Sequence, residues 1–197
     1  MKVIFVKLQS DGVTTLIAEN ALYVLDFSGS KKGALNLVFE QEGVSAEIVG
    51  LYAVREKEHF DFETIATHKA PNTSCVTYVR GVLFDSGSSN YIGKILIDKR
   101  AQQTSSFLEN NVLVVGNATH NNSQPILQIE ADDVKASHGA TTGRIDPSQV
   151  YYLQSRGLNA KESEELIVQG FFESLLAKIS DEKIKSAVAA NLGIKHA

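Results

Sequence analysis

From the first residues to about position 143, apolar positions come in short runs rich in β-branched and aromatic side chains. Clear examples are LYVLDF (22–27), LNLVFE (35–40), VTYVRGVLFD (76–85), IGKILID (92–98), NVLVVGN (111–117) and PILQIEAD (125–132). Polar clusters such as DSGSSN (85–90) and NATHNNSQ (117–124) separate them and read as turns. Short strands at close spacing predict an all-β region. Three runs repeat one device, a glycine ahead of strand-like residues: Gly50-Leu-Tyr-Ala-Val, Gly81-Val-Leu-Phe-Asp and Gly93-Lys-Ile-Leu-Ile-Asp. A solenoid needs such recurrence, because each turn buries its apolar face against the next. A sandwich or barrel would show similar strands.

Past residue 145 the apolar period becomes helical. Asp146, Pro147 and Gln149 form an N-cap, a first-turn proline and an N3 glutamine, ahead of Val150, Tyr151 and Leu153, and Gly157 is placed to stop the helix. Asn159 and Glu162 repeat the capping-box spacing. The helix they open carries Leu166, Ile167, Phe171, Phe172, Leu175, Leu176 and Ile179, a stripe wide enough for two neighbours. Ser180 is read as the cap of a third helix with Ile184, Val188 and Leu192, ended by Gly193. The expected organisation is a β domain over 1–143 and a three-helix region over 144–197.

Composition adds exclusions. The chain has 197 residues, 43% hydrophobic and 21% charged, ordinary for a globular protein. A net charge of −4 and a pI near 5.7 argue against nucleic acid as partner. No run of about 20 apolar residues predicts a membrane span. The start, MKVIFVKLQSDG, is interrupted by Lys7 and is no signal peptide, so a cytoplasmic protein is expected. One cysteine, Cys75, excludes an internal disulfide framework and any metal centre built from this chain's thiolates alone.

Enzyme signatures fail on spacing. Between Gly87 and Gly93 lie five residues where a phosphate loop has four, and Ile95 stands where the Mg²⁺-binding hydroxyl belongs. That segment reads as a turn between strands. Glu130, Asp132 and Asp133 cluster at a strand end. They suit either a Ca²⁺ or general-base site of a β-helix carbohydrate-active enzyme, or a polar turn offering caps to the backbone; too few oxygens converge for a hard cation, which favours the turn. Of five histidines, His59 and His120 read as exposed, His68 as packed in a turn and His196 as terminal. His138 differs through its neighbours: in an extended chain Val134, Ala136 and His138 share one face, Lys135 and Ser137 the other.

The stretch DDVKASHGATTGRIDPSQVYYLQSRGL (132–158) resembles the end of the β-helix and the first C-terminal helix of the SufB/SufD family, the scaffold subunits of the SUF iron–sulfur cluster assembly machine. THKAPNTS (67–74), Gly81, YIGKILI (91–97), AQQT (101–104) and PILQIEADDVKASHGATTG (125–143) resemble successive turns of that β-helix, and the Ser-His-Gly-Ala-Thr run is similar to the SufD side. The resemblance implies a mainly β fold, a right-handed parallel β-helix followed by a small C-terminal α-helical region. It implies a non-catalytic scaffold that pairs through its β-helix with a SufB-like subunit or with itself as a dimer, and binds a SufC-like ABC ATPase through its helices. Carried onto this chain, the pairing interface is Lys135, Ser137, His138 and Gly139, with His138 the cofactor-facing candidate. The ATPase-binding residues are Tyr151, Tyr152, Arg156, Glu164, Glu165, Phe171 and Phe172.

Two departures qualify the likeness. Ala136 stands where the family pattern has cysteine, and a methyl cannot ligate iron. The expectation is therefore no metal and no stably bound cofactor on this chain alone, with a transient iron–sulfur cluster only at a partner interface. The family's members are longer, so the sequence starts within the solenoid; Met1 to Leu8 would act as an improvised cap, or another subunit would cover that end. In addition, AQQTSSFLEN has drifted from the family's polar turn. The alternatives are a diverged homodimeric module with no cluster role and the carbohydrate-active enzyme.

Overall fold

The computed structural model describes residues 1–194; His196 lies outside them. Eleven strands come first: β1 (Lys2–Lys7), β2 (Val13–Leu16), β3 (Ala21–Asp26), β4 (Lys32–Phe39), β5 (Ser45–Val54), β6 (His59–His68), β7 (Ser74–Leu83), β8 (Ser88–Ile97), β9 (Thr104–Val114), β10 (His120–Ile129) and β11 (Val134–Arg144). The odd-numbered strands form one sheet in the order β1-β3-β5-β7-β9-β11, the even-numbered ones a second in the order β10-β8-β6-β4-β2. Every pairing is parallel. Consecutive strands thus alternate between sheets and pair with the strand two places on, which is a parallel β-solenoid and neither a sandwich of antiparallel strands nor a closed barrel.

Side-chain alternation explains why these sequences fill it. In β6 to β9 buried and more exposed positions alternate residue by residue, save at the end of β7, where the helices also cover Val82, because one face meets the opposite sheet. The middle of the interior is aromatic. The Phe62 ring lies 4.9 Å from Phe27, 5.1 Å from Tyr52 and 4.9 Å from Tyr91. Gly81 keeps its glycine because an added Cβ would fall 2.2 Å from the Tyr52 ring.

The corners also repeat. Gly43, Asn72 and Gln103 each stand two residues before the matched positions Ser45, Ser74 and Ser105, and each has positive φ. Lys57, Ser86 and Ala118 do the same before His59, Ser88 and His120. Left-handed backbone costs an L-residue about 1–2 kcal/mol, and corner hydrogen bonds offset it. Gly43 N–H donates to Pro71 O, Asn72 N–H to Gln102 O, and Gln103 N–H to Asp133 O.

Several expectations shift. Met1 to Leu8 is not a cap: β1 pairs with β3 along its whole length and continues the sheet. NATHNNSQ is turn only at its start, since β10 begins at His120, and β8 begins at Ser88 inside DSGSSN. The Gly87–Gly93 segment is accordingly mostly strand. HFDFETIATH, which carries β6, escaped notice although it alternates well. His68 is the last residue of β6, fully buried, and the turn follows it.

Three helices follow among the described residues: α1 (Pro147–Ser155), α2 (Ala160–Leu176) and α3 (Glu182–Leu192). The caps of the first two are those the sequence signals. Asp146 accepts from Ser148 N–H at 2.8 Å, and Asn159 and Glu162 close a full capping box. Gly157 has φ +99°. The third cap is Asp181 and not Ser180; its carboxylate accepts from the Lys183 and Ile184 N–H groups, where an anion also complements the helix dipole. The last strand ends at Arg144, and α1 begins at Pro147.

The helices have no separate core. Val168, Phe172, Leu175, Leu176, Ile179, Val188 and Leu192 form one cluster with Leu22, Val24, Val49, Leu51 and Val82 on the outer face of the six-stranded sheet. Arg80 fixes the end of α2: it donates to the carbonyl of Phe171 at 2.6 Å and to the Ser174 hydroxyl, and its guanidinium lies 5.2 Å from the Phe171 ring centre. No helix among the described residues is long and apolar enough to cross a membrane.

Candidate functional site

The last turn of the solenoid differs from all before it. Neither β10 nor β11 contains a buried residue, because both are edge strands with no further turn beyond them. Their interior-facing side chains are mixed: Leu127, Val134 and Ala136 pack against the core, while Asn121, Ser123 and Thr142 carry a string of hydrogen bonds. Ser89 donates to Asn121 at 2.7 Å, Asn121 to Thr142 at 2.7 Å, and Ser123 to Asn110 at 2.7 Å. Tyr52 begins this string, its hydroxyl 3.4 Å from Ser89 Oγ, and burial pushes that phenol up to about 12.

Backbone alternation decides what each edge offers. The Asp133 carbonyl accepts from Gln103 N–H. Odd-numbered residues of β11 therefore bond to β9, and even-numbered residues turn N–H and C=O to the free side. Ala136, His138 and Ala140 lie on that side. In β10 the relation is reversed: His120 N–H bonds to the carbonyl of Gly87, just ahead of β8, and Glu130 N–H to that of Ile97, so the backbone groups of the odd residues face outward. Pro125 is among them. It interrupts the β10 edge, while the β11 edge from Val134 to Arg144 contains no proline.

His138 sits near the centre of β11 opposite Leu108. Leu108 belongs to the interior and Val134 and Ala136 pack on it, so His138 takes the inner face as its spacing predicts. It is exposed there. Lys135, Ser137 and Gly139 point outward. Ser137, His138 and Gly139 join Val76, Tyr78 and Phe107 around a shallow groove of about 350 Å³. Among the described residues, no three histidine, cysteine or acidic side chains converge as a metal site.

The remaining chemistry-bearing residues have structural places. Asp133 N–H bonds to the Gln102 side chain at 3.0 Å, and its carboxylate accepts from Gln103. Asp133 thus serves a corner. Cys75 is fully buried, and burial pushes its thiol up to about 12. His68 stacks on Phe39 with ring centres 4.4 Å apart. Its nitrogens lie 2.8 Å from Thr73 Oγ1 and 3.1 Å from Ser106 Oγ, and burial lowers it to about 4. Sequence reading missed this polar column; the signal was the alternation of Thr104, Ser106, Leu108 and Asn110 in β9.

The helical face forms a second surface. α1 contains no buried residue and packs on α2. Tyr151 is 75% exposed, Tyr152 56% and Leu166 47%. Arg156 lies 5.3 Å from the Tyr152 ring centre. Tyr152, Leu153 and Ile167 line a groove of about 490 Å³ between the two helices. Glu164 and Glu165 are exposed and border a cleft against the solenoid rim. Phe172 departs from the expected partner-facing set: it is wholly buried, and Phe171 packs beside it in the same cluster. Both hold α2 to the sheet.

Residues 24–171 match the family model described as SUF system FeS cluster assembly, SufBD core domain. The chain is 31% identical over 163 residues to an iron–sulfur cluster assembly SufBD family protein of Mycobacterium leprae, covering 79% of this chain and 42% of that protein. It is 38% identical over 112 residues to the iron–sulfur cluster assembly protein SufD of Escherichia coli, covering 57% and 26%. To the SufD protein of Bacillus subtilis it is 29% identical over 202 aligned positions, covering 92% and 44%. The chain thus spans less than half the length of these relatives. A parallel solenoid with an open last turn, followed by three capped helices and matched along most of its length, makes this chain a member of the SufBD family.

Proposed function

We propose that this chain is a non-catalytic scaffold subunit of SUF-type iron–sulfur cluster assembly, acting in the cytoplasm. It pairs through the free edge of β11 with a SufB-like subunit or a second copy, and binds a SufC-like ABC ATPase through α1 and the adjoining face of α2. The observation that carries the reading is the β11 edge: an uninterrupted row of backbone donors and acceptors with His138 at its middle. Strand addition at such an edge supplies affinity through main-chain hydrogen bonds. A cluster, as cargo, would rest there only transiently, since Ala136 offers no thiolate and one imidazole is a poor anchor for soft iron.

On the helical face Tyr151 and Tyr152 are the exposed aromatic residues, the type that anchors interfaces. Arg156 preorders Tyr152, and Glu164 and Glu165 supply rim charge. Titrating a SufC-like ATPase against Tyr151→Ala/Tyr152→Ala should weaken binding at least about tenfold, the size of one interface anchor. Unchanged affinity would sink the helical assignment. Ala140→Pro tests the strand, removing one edge N–H while leaving the bonds to β9 intact. It should abolish pairing in sedimentation experiments; an undisturbed dimer would reject the edge. Ala136 favours a second reading, self-pairing without a cluster role, which the ATPase titration separates from the first.

A further inference from the structure

The two sheets differ on their outer faces. The apolar cluster that seats α2 and α3 draws on odd-numbered strands only, so the five-stranded sheet turns its outer face to solvent. Parity fixes which side chains lie there. Phe60 and Phe62 of β6 and Tyr91 and Ile95 of β8 belong to the core, which leaves Glu63 and Ile65 outward on β6, Ile92 and Lys94 outward on β8. The register sets Glu63 beside Ile92 and Ile65 beside Lys94. These four form a quartet at the middle of the sheet, with acid and base on one diagonal and two isoleucines on the other. Glu63 and Lys94 are ion-paired across it, and both isoleucines are half-buried. The polar side chains around the quartet already bond to one another. Asn90 donates to Asp61 at 2.9 Å, Asn122 to Asn90 at 2.8 Å and Thr67 to Asn36 at 2.9 Å. Such ladders hold a sheet flat, and Ile126 stays 39% exposed on the same face.

A two-fold axis laid along the Ile65–Ile92 diagonal makes this quartet its own complement. It sets each isoleucine over the same isoleucine of a second copy and each Glu63 over the other copy's Lys94. Strands lie about 4.8 Å apart and outward side chains about 6.7 Å apart along a strand, so the strands of the two sheets cross at about 70°, close to the orthogonal way of packing sheets. Five strands span about 24 Å, and faces crossed in this way bury about 1,100–1,200 Å² together, the low end for a specific contact. We infer that the outer face of the five-stranded sheet is a self-association surface, on which two copies pack sheet against sheet and exchange their Glu63–Lys94 ion pairs. It uses no strand edge and no main-chain hydrogen bond, so it is weaker than strand addition and independent of the pairing through β11.

The test is sedimentation velocity on the full chain carrying Ala140→Pro, which blocks the β11 edge, at concentrations up to about 1 mM. Dimers are expected to form at about 10–100 μM, above the range where strand pairing is complete. Lys94→Glu and Glu63→Lys each set like charges across the axis, and each should weaken the dimer at least about a hundredfold. Their equimolar mixture should restore it as a heterodimer, an outcome that a role of the pair within one chain would not produce. Ile92→Cys should cross-link to its own copy under a mild oxidant, Lys99→Cys at an exposed corner should not, and the native Cys75 is buried. A monomer at every concentration overturns the face contact and leaves the strand edge standing. Association untouched by both charge reversals, or a mixture that stays monomeric, overturns it as well. If Ala140→Pro unfolds the chain, the same mixing experiment with β11 unaltered decides the matter, read as association beyond the strand dimer.

Discussion

The turn made by β5 and β6 and the turn made by β10 and β11 are one backbone unit filled in opposite ways. The first holds Tyr52, Phe60 and Phe62 in a sealed interior, and its outer sheet face lies under α2 and α3. The last mixes Asn121, Ser123 and Thr142 with Leu127, Val134 and Ala136 on its inner positions and buries none of its strand residues. Stability and availability are thus divided along the axis. A region that must pair with another molecule cannot also bury its edge, and the central turns supply what the end gives up.

The sharpest way to break this comparison is to hollow out the centre. Phe62→Ala should destabilise the protein by about 3–5 kcal/mol in chemical denaturation, whereas Ile129→Ala, at a position 40% exposed in the last turn, should cost about 0.5 kcal/mol or less. Comparable losses would erase the division.

The buried His68 gives a pH handle on the central turns. Its folded value near 4 lies below the ordinary 6.5, so the unfolded chain takes up a proton first on acidification. The neutral ring's stability is fully present above pH 6.5 and is lost as pH falls toward 4, about 3 kcal/mol in all. Urea midpoints between pH 7 and 4 should show this slope in the wild type and lose that component in His68→Gln. An unaltered slope would mean the ring is hydrated.

A smaller effect concerns the helices. Arg80→Ala removes the tie to Phe171 and Ser174 and should cost about 1–2 kcal/mol. Hydrogen exchange should quicken first at the end of α2 and leave β11 unchanged. The smallest change is expected from Thr142→Val, which deletes one bond to an exposed strand and should stay within about 1 kcal/mol.

Much of this architecture was legible in residue order. Strand-like runs marked most turns, and Asp146, Asn159 and Glu162 announced two helices. His138 and its strand face followed from two-residue alternation. Other features were hidden because they depend on what lies across the interior. Nothing local distinguishes His68 at a strand end from His68 in a turn; its partners Thr73 and Ser106 come from the next turns. Phe171 and Phe172 are adjacent aromatics on a broad stripe, and only the position of the sheet shows that they anchor the helix instead of facing a partner. Pro125 became informative once backbone parity showed which side of β10 it interrupts.

The corner columns set a rule for how such a chain changes length. Ser45 pairs with Ser74 and Ser74 with Ser105, steps of 29 and 31 positions; His59 pairs with Ser88 and Ser88 with His120, steps of 29 and 32. The matched strand positions hold while the corners absorb the spare residues. Small insertions are therefore confined to corners, and larger gains or losses of sequence are accommodated as whole turns, cut between equivalent left-handed residues. Duplicating the segment from Asn72 to Gln102 would add a turn and still deliver the same final strand, with its histidine, to the end of the solenoid.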